Sequence, residues 1–289
     1  MSAIKDSAKV GVIGGSGFYE LLENAREVTI DTPFGAPSDS YFLGEIGDVP
    51  VAFLPRHARG HRLLPGEVNY RANIWGMKAL GVHYVLSAGA VGSLREDLKP
   101  LDIVVPDQLY DRTRNRPSTF FGDGVVVHMG FADPFCPALS TVIVEHGRRV
   151  GATMHEGGTY VCMEGPQFST RAESKAYRRL GFDIIGMTNL QEAKLAREAE
   201  LCYATMALVT DYDCWFEGEE DVTLAQILSN MRRNVEAAQA IVRSAVPALD
   251  LECDCGCRHA VESAIITRPD VIPPATKDKL DLLIGKYLH

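Results

Sequence analysis

Short apolar runs recur along the chain, separated by polar stretches that carry Gly and Pro. The runs at 9–15, 49–57, 83–92, 101–108, 158–166, 182–189 and 202–211 are rich in Val and Ile, and turn-forming or polar residues bound them. That pattern predicts strands. Several runs are apolar at consecutive positions, as strands buried on both faces of a helix-covered sheet read. Between them lie helix-like segments at 69–81, 133–151, 169–181, 189–200, 221–249 and 274–288. The first ends in Gly81, a common helix stop. The third opens on Ser169 with Glu173 in its first turn, a capping pattern. Strands and helices alternate over most of the chain, so the expected fold class is α/β: a single domain, 1–289, with a central mixed, mostly parallel β-sheet flanked by helices. Residues 251–289 read as a C-terminal extension, an irregular excursion ahead of the last helix. In such sheets ligands bind beyond the strand ends, so strand-end residues are where chemistry is expected.

Composition narrows the function. The 289 residues are 46% hydrophobic and 23% charged, with a formal net charge of -9. An acidic chain without a basic stripe is not built to hold a nucleic acid. A small anion remains compatible, because a local cluster of Arg, His and backbone N–H groups can override net charge. The opening residues "MSAIKDSAKVGVIGG" include an acidic residue and no leader-length apolar stretch. No window approaches the roughly 20 apolar residues that span a bilayer. The expectation is a cytoplasmic protein with no membrane partner.

Seven cysteines are present, and three of them, Cys253, Cys255 and Cys257, fall within "ECDCGCRH". CxC spacing is unlike the usual CxxC zinc knuckle, and no second cysteine pair follows in the chain. The expectation is no metal, with reduced thiols the default in a cytosol and a disulfide the competing reading.

Six constellations stand out. "VIGGSGFYE" runs from a strand into glycines and Ser16, which suits an oxyanion but equally suits a plain tight turn. It lacks the longer pattern and acidic ribose partner of a dinucleotide loop. "PRHARGH" places Arg56, His57 and His61 at a strand end; a guanidinium fork and imidazole donors suggest phosphate, against the plainer reading of a solvated basic loop. "SAGAVGSL" puts Gly89 and Ala90 where only small residues let a ligand lie against backbone, or where a helix packs closely. "CMEGPQFSTRAE" offers Phe168 as a stacking ring and Glu164 near a Gly-Pro turn. "GMTN" ends another strand with Met187 and Thr188.

The sixth is "LVTDYDCWF". Residues two apart on a strand share a face, so Asp211 and Asp213 point together if the strand persists. Two adjacent carboxylates resist double ionisation, and one pKa should rise. Such a pair presents a donor and an acceptor, the set that N7 and the N6 amino group of adenine require. A pair capping a helix or holding a cation is the plainer reading.

Taken in order, "GVIGGSGFYE", "PRHARGHRLLPGEVNYRANIWGMK", "GAVGSL", "EGPQFSTRAES", "GMTNLQEAKLARE" and "TDYDCW" resemble the S-methyl-5′-thioadenosine phosphorylases, within the trimeric purine nucleoside phosphorylase group. The resemblance runs from about 9 to 246. "TDYDCW" is its most specific element, because relatives acting on 6-oxopurines typically carry Asn in place of the first Asp. The resemblance implies a purine nucleoside phosphorylase-like fold. It implies phosphorolysis of methylthioadenosine to adenine and 5-methylthioribose 1-phosphate, as part of methionine and purine salvage. It implies phosphate at Ser16, Arg56, His57, Gly89, Ala90 and Thr188, and catalysis by Asp211 and Asp213. The nucleoside is expected against Phe168, Met187 and the two aspartates, with Ser169 and Leu224 setting specificity. No cofactor is implied, since inorganic phosphate is a co-substrate, and the implied assembly is a homotrimer or dimer of trimers. Many members of that family carry Thr or Ser where this chain has Gly89, so one hydroxyl contact to phosphate is expected to be lost. CxC cysteines in bacterial and archaeal members can form disulfides. A broader 6-aminopurine nucleoside phosphorylase, acting on 5′-deoxyadenosine or adenosine, is the alternative. A hydrolytic nucleosidase, a 6-oxopurine phosphorylase and a non-enzymatic dinucleotide-binding module are the more distant rivals.

Overall fold

The computed structural model describes residues 7–22, 25–216 and 224–288, with backbone alone at 16, 19, 20 and 224–228. Eleven strands join one sheet: β1 (Val10–Gly14), β2 (Arg26–Val28), β3 (Tyr41–Ile46), β4 (Val49–Pro55), β5 (Tyr84–Ser93), β6 (Ile103–Val105), β7 (Gln108–Arg112), β8 (Met154–Glu156), β9 (Thr159–Met163), β10 (Ile184–Gly186) and β11 (Cys202–Tyr212). The helices are α1 (Tyr70–Ala79), α2 (Pro137–Arg149), α3 (Arg171–Arg179), α4 (Asn189–Glu198), α5 (Leu224–Ala245) and α6 (Pro274–Ile284).

The sheet is mixed, as expected, and β5 is its branch point. One path runs β2-β3-β4-β1-β5-β10-β9-β7, and β11 joins β5 on the other side, followed by β6 and β8. Along β1 and β5, alternate residues enter opposite cores. Val10, Val12, Tyr84 and Leu86 pack with α2 and α5 residues such as Leu139 and Ile241. Ile13 and Val85 pack with Trp75, Leu195 and Leu283 from α1, α4 and α6. Burial on both faces explains why these strands read as continuous apolar runs.

The expectations missed β2, β3, β7 and β8; the run at 101–108 covers β6 and stops at the first residue of β7. β2 and β8 are three residues long, too short for periodicity to register. At α3 the cap is Thr170, not Ser169: the Thr170 hydroxyl accepts from Glu173 N–H, and the Glu173 carboxylate accepts from Thr170 N–H.

Two irregularities shape the functional end. β1 runs parallel to β5 over Tyr84–Ser87, whereas β10 runs antiparallel to it and meets only Gly92 and Ser93. Residues 88–91 therefore have, among the described residues, no strand partner on that edge. The sheet opens there into a crevice, where its neighbour changes direction. On the opposite edge β11 follows β5 without a gap but slips register between Val209 and Asp211, leaving Thr210 as a bulge. Asn234 and Asn230 of α5 donate their side-chain amides to the Val209 and Thr210 carbonyls at 2.8 Å each, satisfying the backbone that the bulge disturbs.

Candidate active site

Arg56 follows the last residue of β4, and its N–H donates to the Gly14 carbonyl at 2.9 Å, so the first two sequence motifs meet in space. Arg56 is 2% exposed. It pairs with the Glu192 carboxylate through Nε and Nη2, and donates to Ser87 Oγ at 2.7 Å and to the Ala88 carbonyl at 3.0 Å. Ser87 Oγ and the Tyr203 hydroxyl also donate to Glu192 Oε2, at 2.9 and 2.8 Å, and Asn189 donates to the Tyr203 hydroxyl. Burial pulls the Arg56 pKa down, but the Glu192 charge overrides it and the group stays firmly cationic. Arg56 was expected as a fork of donors suited to an oxyanion. It is instead one member of a buried ion pair, with Nη1 turned toward the crevice.

A methyl placed on Gly89 would lie 3.7 Å from Arg56 Nη1 and 4.0 Å from Thr188 Oγ1. Both polar groups thus converge above Gly89, beside exposed Ala90. Thr188 is the N-cap of α4, yet its hydroxyl makes no capping bond and is left for another partner. The positive end of α4 points the same way. His57 Nδ1 lies 2.8 Å from the Leu63 carbonyl, which can only accept, so Nδ1 carries the hydrogen. Burial and the adjacent Arg56 charge push the ring pKa down to about 4. His57, expected as a donor, therefore leaves Nε2 as an acceptor, suited to a protonated phosphate oxygen. In the Gly-rich turn only Gly15 borders open space; a side chain at Gly14 would strike Phe18, and one at Gly17 would strike Val235. Packing thus accounts for two of its three glycines. The Ser16 side chain lies outside the described residues.

The acidic end lies three residues along β5, about 10 Å away. A methyl on Gly92 would meet Asp211 Oδ1 at 3.3 Å and Asp213 Cβ at 3.4 Å. The two aspartates do converge, but not by strand alternation: β11 stops at Tyr212, and Asp213 sits in the following turn, its N–H donating to the Ser93 carbonyl at 3.0 Å. That carbonyl also accepts from Trp215 Nε1 at 2.8 Å, which anchors the turn on a buried aromatic cluster. Both carboxyls have raised pKa values. For Asp211 burial is the main cause; Thr210 opposes it, and repulsion from Asp213 adds less. For Asp213 burial again leads, opposed by the neighbouring Ser174 and Ser169 hydroxyls. Repulsion was expected to dominate, and desolvation does. The Thr210 hydroxyl lies 2.6 Å from Asp211 Oδ2 and 3.2 Å from the Val91 carbonyl, with one hydrogen to give. Its hydrogen goes to Asp211 Oδ2, the closer partner, which leaves Asp211 Oδ1 facing Gly92. Asp213 Oδ2 is buried with no partner at hydrogen-bond geometry, the Ser174 hydroxyl being its neighbour. An unpaired buried carboxyl oxygen beside an open crevice is a group awaiting a ligand.

Between the two ends, Met187 is half-buried, its sulfur against Gly165, where a positive φ of 69° and the contact both call for Gly. Ser169 is half-buried beside Asp213, and its carbonyl accepts from the Cys214 thiol. Phe168, next to it, is 73% exposed. The Leu224 side chain lies outside the described residues. Sequence reasoning missed Glu192 and Arg116. Arg116 is buried and donates to the Met187 carbonyl at 2.6 Å, to Glu164 Oε1 at 3.0 Å and to Gln191. It locks the "EGP" turn to the "GMTN" strand end. The available signal was in "NLQEA": Gln191 and Glu192 are polar yet fall on the buried part of α4.

Residues 9–247 match the model of the phosphorylase superfamily. The chain is 56% identical over 282 residues to S-methyl-5′-thioadenosine phosphorylase of Koribacter versatilis, covering 97% of each chain. Among solved structures it is similar to a methylthioadenosine phosphorylase from an antarctic soil metagenomic library, with a TM-score of 0.92 and 49% identity over 96% of this chain and 99% of that one. It is also similar to methylthioadenosine phosphorylase from Schistosoma mansoni in complex with adenine, with a TM-score of 0.83 and 38% identity over 89% of this chain and 99% of that one.

Proposed function

The chain belongs to the phosphorylase superfamily as an enzyme of the purine nucleoside phosphorylase type, and from that membership we propose that it cleaves S-methyl-5′-thioadenosine with inorganic phosphate, releasing adenine and 5-methylthioribose 1-phosphate. One observation carries the reading. The crevice along β5 has an oxyanion cradle over Gly89 at one end and a pair of neutral-leaning acids over Gly92 at the other. The separation of about 10 Å suits a ribosyl group between phosphate and base.

In this mechanism phosphate sits among Arg56 Nη1, the Thr188 hydroxyl, His57 Nε2 and the backbone at Gly89 and Ala90, with Ser16 a further donor. The C1′–N9 bond breaks and its electron pair leaves with the purine. Positive charge builds on the ribosyl ring next to the phosphate dianion, and a phosphate oxygen then forms the new bond to C1′. Asp211 gives its proton to N7, neutralising the departing base, and Asp213 Oδ2 accepts from the N6 amino group. Solvent reprotonates Asp211 after release. This is leaving-group activation with electrostatic placement, without a covalent enzyme intermediate. Met187 and Phe168 flank the nucleoside, and specificity is assigned to Ser169 and Leu224. Phosphate is a co-substrate and no cofactor is invoked. A role in methionine and purine salvage, a cytoplasmic setting and a homotrimer or dimer of trimers belong to the same proposal.

The test is free-base release from methylthioadenosine, adenosine and inosine, each with and without phosphate. Adenine should appear only with phosphate, faster from methylthioadenosine than from adenosine, and inosine should be inert. Phosphate-independent release would overturn the reading in favour of a nucleosidase. Equal rates with methylthioadenosine and adenosine would favour a broader 6-aminopurine phosphorylase.

A further inference from the structure

Four cysteines outside the crevice meet at the far end of β11. Cys136 caps α2, Cys202 opens β11, and Cys255 and Cys257 come from the C-terminal CxC run, flanking the start of a 3-10 turn at Gly256–His259. Their sulfurs all lie within 4.8 Å of one another, and those of Cys202 and Cys255 are 2.9 Å apart. Three of the four residues are buried and Cys255 is half-buried. Cys253, the first cysteine of the run, is not in the group. The second cysteine pair that the sequence lacks is thus supplied by the fold, from positions 66 residues apart in the chain.

We propose that Cys136, Cys202, Cys255 and Cys257 form a four-thiolate site for a structural zinc ion. Zinc–sulfur bonds of about 2.3 Å arranged tetrahedrally set sulfur–sulfur edges of about 3.8 Å. That edge falls between the shortest contact and the outer limit of this cluster, so small side-chain adjustments close it. Binding releases the thiol protons and changes no oxidation state: four S–H bonds become four Zn–S bonds. The resulting dianion has its compensation in place. The Cys136 sulfur belongs to the N-cap at the positive end of α2, and the Arg197 charge lies near Cys257. Protein thiolates fill all four positions, and Asp211 lies about 30 Å along β11. The ion is therefore structural. It ties the segment after α5 to the starts of α2 and β11, and so holds in place the chain that leads to α6. Two disulfides would use the same sulfurs, but they would need an oxidant and would leave no site.

The experiment uses the full chain, expressed with zinc supplementation and purified under reductant, with elemental analysis and intact mass measured under native and denaturing conditions. One zinc per chain is expected, with a chelator lowering the thermal midpoint. Cobalt substituted for zinc should give the visible absorption of tetrahedral thiolate coordination. The C255S/C257S double variant should lose the metal, and C253S should keep it. Because the double variant could misfold, the wild-type stoichiometry and cobalt spectrum each stand alone. Metal-free protein with all thiols free, a metal-free mass lower by four hydrogens, iron in place of zinc, or metal loss in C253S would each overturn the proposal.

Discussion

The two ends of the crevice are held in opposite ways. At the proposed phosphate end the buried charges already have protein partners: Arg56 with Glu192, Glu192 with Ser87 and Tyr203, Tyr203 with Asn189. At the base end the carboxyls are buried, raised in pKa and partly unpaired. The first arrangement makes a cationic group that stays put, its charge largely balanced before phosphate arrives. The second raises the acids' pKa values by denying them solvent, which favours the protonated form the proposed mechanism draws on. Pre-organisation by pairing suits an anion that must be bound and released. Pre-organisation by desolvation suits a proton that must be given.

The largest expected effect breaks the acid end alone. Asp211→Asn should lower kcat by roughly 10²–10⁴-fold while leaving the KM for phosphate unchanged. Steady-state kinetics with phosphate varied would show whether the two ends act independently; a large shift in phosphate KM would mean they do not. Next, Glu192→Ala strips the phosphate end of its counter-charge and leaves Arg56 buried and uncompensated. Losing one partner of such a pair costs about 3–5 kcal/mol of stability. Urea unfolding at wild-type concentrations would show instead that water reaches Arg56.

A pH profile sharpens the contrast. Asp211 has a raised pKa, so its neutral form persists above the usual carboxylate range and is lost as pH rises through that value. If that form is the acid, kcat/KM falls on the alkaline side, and the limb disappears in Asp211→Asn. His57, held at about 4, stays neutral at higher pH and adds no limb of its own near neutrality. The smallest effect adds rather than removes. A side chain on Gly89 would make only ordinary contacts with Arg56 and Thr188. Gly89→Ser should therefore supply a hydroxyl worth about 1 kcal/mol and lower the phosphate KM about fivefold. An unchanged KM would place phosphate elsewhere.

Much of the fold was legible because its signals are local. The Val- and Ile-rich runs of β1, β4, β5 and β11 and the helix spacing of α1 and α5 depend on residues a few positions apart. β2 and β8 escaped because strands of three residues carry no such period. The acid pair was legible as a pair, but for an incomplete reason. Alternation in β11 would have aligned the two carboxyls; a bulge at Thr210 and a turn docked on Ser93 do so instead.

By itself, then, the chain's pattern determined the order of strands and helices, the motifs at the strand ends and the family they resemble, since each is written in contiguous residues. The tertiary structure alone decided that Glu192 neutralises Arg56 across 136 residues of sequence, that one edge of β5 has no strand partner among the described residues where β1 gives way to β10, and that four distant cysteines share one point. Those outcomes depend on register between strands far apart in the chain, and no local period encodes it.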